Sequence, residues 1–362
     1  MRVLIDIGHP AHVHMFKCFA KDMQDRGHKV LFTCRDKEFE IKLLTAYGLD
    51  YVNFGKKSKS SLGKLFDLIK FNWKVWKVAR NFKPDVFLSH GSLTAAHVAW
   101  IMRKPSIAFE DTFNMEQIRL WEPFVSTILT SMYEHPLRSS KVLRYPGYNE
   151  LLYLHPNRYK KENTILNKLG VTEDEKYVIL RFVSWNATHD KGHNGISYEN
   201  KLLAVKEFSK HAKVFITSEK PLPAELEPYR ISISPEDMHD AMAHACMIYG
   251  ESATMVTEGV MLGVPGIYLD NTGRLYTEDI HKKYGMCFNY NESEEDQLLS
   301  IQKGVELIKH FDKQAWAEKT KHLSELNIDV TKFLIWFIEN YPQSQQQMHD
   351  NPIDDTFWAQ FK

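Results

Sequence analysis

Three histidines within six residues, His9, His12 and His14, stand in Gly8-His9-Pro10-Ala11-His12-Val13-His14, directly after the apolar run Val3 to Ile7. An imidazole titrates near pH ~6.5, so a histidine at the end of a central strand can take or give a proton during a reaction. His12-Val13-His14 also has the His-x-His form of metal-dependent hydrolases, with His9 as a further ligand. No HxxEH or HExxH spacing follows downstream, and Pro10 with a helix close behind it favours a loop that faces a ligand. Acid–base work, metal binding and plain capping all remain open for this turn.

A second constellation is Tyr249-Gly250-Glu251-Ser252-Ala253-Thr254-Met255, followed by Glu258 and the ending Gly263-Val264-Pro265. A strand ending at Tyr249, a turn of small residues and a helix starting near Ser252 or Thr254 would aim free N–H groups and a helix dipole at a phosphate. The hydroxyls of Ser252 and Thr254 can add donors. Glu258, one turn on, can accept from the two hydroxyls of a ribose, so the whole would hold a nucleoside diphosphate. Equally, Ser252 caps the helix and Glu258 is a solvated helix residue.

Two further places carry charge at strand ends. Glu110 and Asp111 follow the strand Ser106 to Phe109 and can polarise a hydroxyl or tune a histidine, or else cap the next helix. The turn Ser89-His90-Gly91-Ser92 ends the strand before it. Arg181, in Arg181-Phe182-Val183-Ser184-Trp185, can pair bidentately with phosphate oxygens or with a neighbouring carboxylate.

The elements that would position these groups alternate. Strands Val3–Ile7, Lys29–Thr33, Asp85–Ser89 and Ser106–Phe109 are interleaved with helices at His14–Arg26 and Leu93–Met102. A second series runs through strands Tyr177–Phe182, Lys213–Thr217, Met247–Tyr249 and Gly266–Leu269, with helices Tyr198–His211, Asp237–His244 and Thr254–Leu262 between them. Such alternation predicts parallel sheets covered on both faces, with ligands beyond the carboxyl ends of the strands. The polar stretch His155 to Asn163 reads as a connector, giving domains 1–160 and 161–325 and a tail 326–362 whose helix Phe333–Ile338 packs across the lobes.

In all, 362 residues with 43% hydrophobic and 25% charged side chains suffice for two folded domains. Forty-six basic and forty-six acidic side chains cancel, which argues against a nucleic-acid binder. They are unevenly placed: residues 1–160 carry 25 basic against 15 acidic, and residues 161–362 carry 21 against 31. Cys18, Cys34, Cys246 and Cys287 have no CxxC spacing, which fits a reducing compartment. Residues Met1 to Ile7 read as a strand, not a signal peptide, and no apolar run approaches the ~20 residues of a membrane span. The expected setting is cytoplasmic.

Lys56 to Lys83 holds nine basic residues and one acidic, with Leu62, Leu65, Phe66, Ile69, Trp73 and Trp76 at helical spacing. That pattern fits a helix lying on the inner face of the cytoplasmic membrane, and fits as well a helix whose apolar stripe faces the core.

Taken together, two doubly wound halves, a connector and a C-terminal helix make the chain resemble GT-B proteins, two Rossmann-like domains facing a cleft. Gly250 to Pro265 resembles the turn, helix glutamate and Gly-x-Pro ending of UDP-N-acetylglucosamine 2-epimerases and of the lipid II-forming N-acetylglucosaminyltransferase. Glu258 falls at the ribose-binding glutamate of both. Gly8 to His12 resembles the transferase's glycine-rich turn ending in histidine, with His12 at the matching position, and Glu110 matches a glutamate of both families. The full pattern is similar to an uncharacterised GT-B-like family known only as a domain of unknown function. Departures are His9 and Pro10 in the first turn, Glu251 and Ser252 in the second, and Arg181 to Trp185 in place of the epimerases' basic turn.

The resemblance implies a hexosyl- or N-acetylhexosaminyltransferase of polysaccharide or cell-envelope synthesis, moving a sugar from a UDP-sugar to a glycan or lipid-linked acceptor. His12 would be the base, with Glu110 or Asp111 orienting it or the acceptor. Gly8, His9, Arg181, Ser184, Ser252, Ala253, Thr254, Met255 and Glu258 would bind the nucleotide sugar. No cofactor and no metal are expected, since no Asp-x-Asp follows a strand. The rivals are a nucleotide-sugar epimerase or hydrolase, a metal-dependent hydrolase on His9, His12 and His14, and a sugar-nucleotide-binding protein without turnover.

Overall fold

The computed structural model describes residues 1–56, 61–183, 195–218, 221–350 and 354–362, with the backbone alone over 61–66. The chain divides into two units: Met1–Arg158 with Asn327–Lys362, and Tyr159–Leu326.

Unit 1 is built on seven parallel strands in the order β3-β2-β1-β4-β5-β6-β7. These are β1 (Arg2–Asp6), β2 (Lys29–Cys34), β3 (Tyr51–Asn53), β4 (Val86–His90), β5 (Ser106–Phe109), β6 (Thr127–Ser131) and β7 (Val142–Tyr145). Val3, Leu4 and Ile5 are fully buried, as a central strand covered on both faces requires. The strand order reverses at β1 and β4, where Val3 pairs with Val86 and Asp6 with Ser89. Ligand crevices form at such a reversal, and His90 ends β4 at that edge.

Helix α1 (Pro10–Asp25) starts earlier than the sequence suggested, because Pro10 is pre-set for the first helical turn and the His9 Nδ1 accepts from the Ala11 N–H at 3.2 Å. His12 and His14 therefore lie on a helix, not in a loop. Helix α2 (Glu40–Ala46) and helix α3 (Ser61–Phe82) follow, then α4 (Leu93–Ile101) and α5 (Met115–Trp121).

On α3 the inward face is Phe71, Val75 and Ala79, packed on Leu4 and Phe87 of the sheet and on Ala95, Val98 and Ala99 of α4. Of the stripe expected from spacing, Ile69 and Trp73 are exposed and Trp76 is half-buried against this core, while the side chains of Leu62, Leu65 and Phe66 lie outside the described residues. A 22-residue helix crossing from β3 back to β4 buries only the side toward the sheet, which leaves the other side to solvent.

The tail helix Val330–Glu339 belongs to unit 1. Phe333, Leu334 and Phe337 are fully buried, and the Phe333 ring stacks on Tyr145 of β7 at 5.8 Å. Arg158 binds both Asp329 at the start of that helix, at 2.7 Å, and Asp22 of α1.

Unit 2 holds five parallel strands in the order β12-β11-β10-β8-β9: β8 (Tyr177–Phe182), β9 (Lys213–Ser218), β10 (Met247–Gly250), β11 (Gly266–Leu269) and β12 (Cys287–Tyr290). Its reversal lies between β8 and β10, where Arg181 pairs with Gly250. All four cysteines are free thiols. Among the described residues no helix is long and apolar enough to cross a membrane.

Candidate functional site

Each unit presents chemistry where its strand order reverses. In unit 1 a cavity of about 640 Å³ opens at the carboxyl ends of β1, β4 and β5, lined by Gly8, His12, Arg35, His90, Glu110 and Trp121 among others. Its floor is a buried network. Asp6 accepts from Thr33 Oγ1 at 2.7 Å, from Arg35 Nη1 at 2.8 Å and from Ser92 Oγ at 2.5 Å, and the Arg35 guanidinium lies over the Phe71 ring at 5.4 Å.

Above that floor two histidines stack, His12 from α1 and His90 from the end of β4, with ring centroids 4.8 Å apart. Their protonation is driven in opposite directions. Burial opposes charge on His90, but the Asp111 carboxylate, hydrogen-bonded to its Nε2 at 3.0 Å, and Glu110 outweigh burial and raise it to about 9. Burial, then repulsion from His90, His9 and Lys37, hold His12 well below 6.5. At neutral pH the pair is a cation beside a neutral ring. The Gly8 N–H reaches His12 Nδ1 at 3.4 Å, a long contact, and Nε2 has no partner among the described residues.

Asp111 is itself held. Its Oδ2 accepts from Asn149 Nδ2 at 2.5 Å, and Asn149 Oδ1 accepts from the Tyr145 hydroxyl at 2.7 Å. Glu110 is buried, its Oε1 accepting from Thr112 N, Thr112 Oγ1 and Phe113 N, each at 2.8 Å. Its second oxygen is turned toward Gly91, where φ is +55° and a side chain would sit 3.3 Å from Trp121 Nε1 and 3.5 Å from Glu110 Oε2. The left-handed turn favours glycine, and a side chain there would press on the Trp121 ring at the cavity wall.

Of the residues singled out in the first turn, Gly8 and His12 reach this cavity, whereas the other two histidines do other work. His9 caps α1 and points its Nε2 toward Glu38 at 3.9 Å. His14 is buried, its Nδ1 3.2 Å from the Tyr47 hydroxyl and its ring stacked on Tyr153. The three-histidine hydrolase site therefore does not assemble: successive positions 9, 12 and 14 leave the helix start in different directions. Among the described residues no three His, Cys, Asp or Glu side chains are grouped to hold a metal ion.

In unit 2 the strand β10 ends at Gly250, whose φ is +144° and whose Cβ, if present, would lie 2.1 Å from the Arg181 carbonyl oxygen. No other residue fits there. The Glu251 N–H then donates to that same carbonyl at 3.0 Å. The Glu251 carboxylate turns back to the end of β8, accepting from Val183 N at 2.5 Å and Ile196 N at 2.7 Å, with Lys201 Nζ at 3.3 Å. Burial pulls the Lys201 ammonium down from its ordinary value, and Glu251 works against that pull.

Ser252 is the N-cap of the helix Ala253–Met261, its Oγ accepting from Met255 N at 3.4 Å. The N–H groups of Ala253 and Thr254 find no acceptor among the described residues, so two donors and the positive helix end remain for an anion. Glu258, one turn on, is only 5% exposed and binds His239 Nε2 at 3.0 Å. Arg181 donates from Nη1 to Thr217 Oγ1 at 3.3 Å, at the same strand ends. Ser184 lies outside the described residues.

Four residues that the sequence reading gave no role thus shape these sites: His90, Asn149 and Arg35 in unit 1 and His239 in unit 2. For His90 a signal existed, a strand end beside two carboxylates, but the pairing of His90 with Phe109 that levels it with Asp111 needs the strand order.

A family model described as protein of unknown function (DUF354) matches residues 1–288. An uncharacterized protein of Methanocaldococcus jannaschii is 25% identical over 279 residues, covering 73% of this chain and 80% of its own. The UDP-GlcNAc 2-epimerase of Neisseria meningitidis, solved with UDP-GlcNAc bound, is 15% identical with a TM-score of 0.69, covering 94% of this chain and 100% of that one. A spinosyn rhamnosyltransferase complexed with thymidine diphosphate is 12% identical with a TM-score of 0.59, with the same coverages of 94% and 100%. The fold is the GT-B type, common to these epimerases and glycosyltransferases.

Proposed function

Since the chain belongs to the DUF354 family, whose description assigns no activity, we propose from its own residues that it is a glycosyltransferase, moving a sugar from a nucleotide-activated donor to a glycan or lipid-linked acceptor. The observation that carries this reading is the neutral His12 beside a charged His90 in the unit 1 cavity. An acceptor hydroxyl needs a base that is unprotonated at neutral pH, and His12 is kept so. The acceptor oxygen bonds to the anomeric carbon, the bond from that carbon to the diphosphate oxygen breaks, and the diphosphate leaves with the electron pair. The hydroxyl proton goes to His12 Nε2, in the tautomer that gives up only the long Gly8 contact.

Unit 2 would bind the donor. The open N–H groups of Ala253 and Thr254, with Arg181, suit a diphosphate, and Glu258 suits the ribose hydroxyls. UDP is the expected base-bearing group, as in the epimerases of the same fold. Glu251, which would repel a diphosphate, is occupied by two N–H groups and an ammonium instead.

The test is a thermal-shift titration with UDP. At a hundredfold excess over Kd the wild-type midpoint rises by about 5 °C, and Glu258→Gln loses most of that rise. No rise with any uridine nucleotide, or an unchanged rise in the variant, overturns the donor site. A second reading, a nucleotide-sugar epimerase or hydrolase, is supported by Glu110, a buried carboxylate with one oxygen toward the cavity.

A further inference from the structure

The layer of unit 1 formed by α3 and α4 has an outer side unlike an ordinary solvated surface. Ile69 is 65% exposed and Trp73 57% on α3, and Trp100 is 62% and Ile101 58% on α4. The inward sides of both helices meet the same core, so these four face out from one layer. Asn72 and His97 hydrogen-bond at 3.1 Å, which fixes the two helices side by side at the level of Trp73. Two tryptophans and two isoleucines so exposed on one layer exceed the scattered apolar residues that a solvated surface carries.

Charge says what they meet. From Asp67 to Lys104 the chain has seven basic residues and two acidic ones, and of the acidic pair Asp67 is buried. Lys70, Lys77, Arg80, Arg103 and Lys104 are exposed among the apolar groups, and the Lys77 ammonium sits 5.5 Å above the Trp73 ring. A second copy of this face would bring like charges together, which opposes self-pairing. An anionic lipid surface instead takes the aromatic rings at headgroup depth and the cations at its phosphates.

We propose that the outer face of α3 and α4 docks on a membrane surface bearing anionic lipid, with Ile69, Trp73, Trp100 and Ile101 entering the headgroup layer. This docking is independent of the transferase reading and uses none of its groups. It keeps Ile69 and Trp73 of the expected stripe of α3 and extends the contact onto α4.

Sedimentation of the full chain with vesicles tests it. Vesicles of phosphatidylcholine and phosphatidylglycerol (about 3:1) bind at least about 10-fold more strongly than phosphatidylcholine alone, and added salt weakens the binding. Lys70→Gln with Lys77→Gln lowers it about 30-fold, and Trp73→Ala with Trp100→Ala about 10-fold, at unchanged thermal midpoints. Leu298→Ala, at an exposed apolar position of unit 2, changes nothing. Equal binding to both vesicle types, no binding, or full binding by either double variant overturns the proposal. So does a Trp73→Ala variant that converts a dimer to a monomer while the wild type ignores lipid.

Discussion

His12 and His90 stack at 4.8 Å, and the charge on His90 adds to burial in holding His12 unprotonated. Turnover by a neutral His12 base predicts a kcat/KM that is level through neutral pH and falls in acid, where the ring takes up a proton well below its ordinary value. Asp111→Asn removes the charge that holds His90 up, and a neutral His90 no longer repels a proton on His12, so the acid limb of kcat/KM moves toward neutral pH. The same substitution reports on stability. His90 is raised on folding, so its contribution is fully present below pH ~6.5 and lost as pH passes about 9, and it amounts to at most about 3 kcal/mol. Urea unfolding at both ends of that window shows a difference in the wild type that shrinks in Asp111→Asn. Of these groups, His12, Glu110 and Asp111 were legible in the sequence because each follows an apolar strand. Asn149 was not, since it reaches Asp111 from a segment nearly forty residues on.

At the level of elements, the strands that bury both faces were the legible ones: Val3–Ile5, Val86–Leu88, Val178–Leu180 and Met247–Tyr249 are apolar runs that fit no other place. β6 and β12 were not, because Thr127, Thr130 and Ser131 or Asn289 interrupt the apolar pattern while the strands remain in the sheet. On α3 residues three and four apart fit two faces when aromatic side chains are abundant, so spacing alone left open which face meets the core. The turn after β10 makes its own prediction. Glu251→Ala leaves Lys201 buried without its carboxylate and releases Val183 N and Ile196 N, a loss of about 3–5 kcal/mol measurable by denaturant unfolding. A loss below about 1 kcal/mol would mean that this carboxylate does not hold the turn together.

For the whole molecule, the uneven charge reads differently once the units are known. The tail residues Asn327–Lys362 bring five acidic and two basic side chains to unit 1, so that unit has 26 basic against 20 acidic and unit 2 has 20 against 26. The excess on unit 1 is concentrated between Lys56 and Lys104, largely on or beside α3 and α4, while under the proposed function unit 2 would bind a dianionic group against its own sign through a helix end and Arg181. Donor affinity should therefore strengthen when acidic residues remote from the Ala253–Met261 helix are neutralised, and weaken with added salt less than a basic site would.

The claim at the centre is transfer, and the fate of the donor tests it most directly. Incubating the chain with UDP-N-acetylglucosamine, with and without a glycan or lipid-linked acceptor, and resolving the products, should show UDP release and a new glycoside only when acceptor is present. His12→Ala should slow that release by about 10²–10⁴-fold while leaving the UDP-induced thermal shift intact. A C2 epimer formed without acceptor would contradict the account, as would full transfer by His12→Ala.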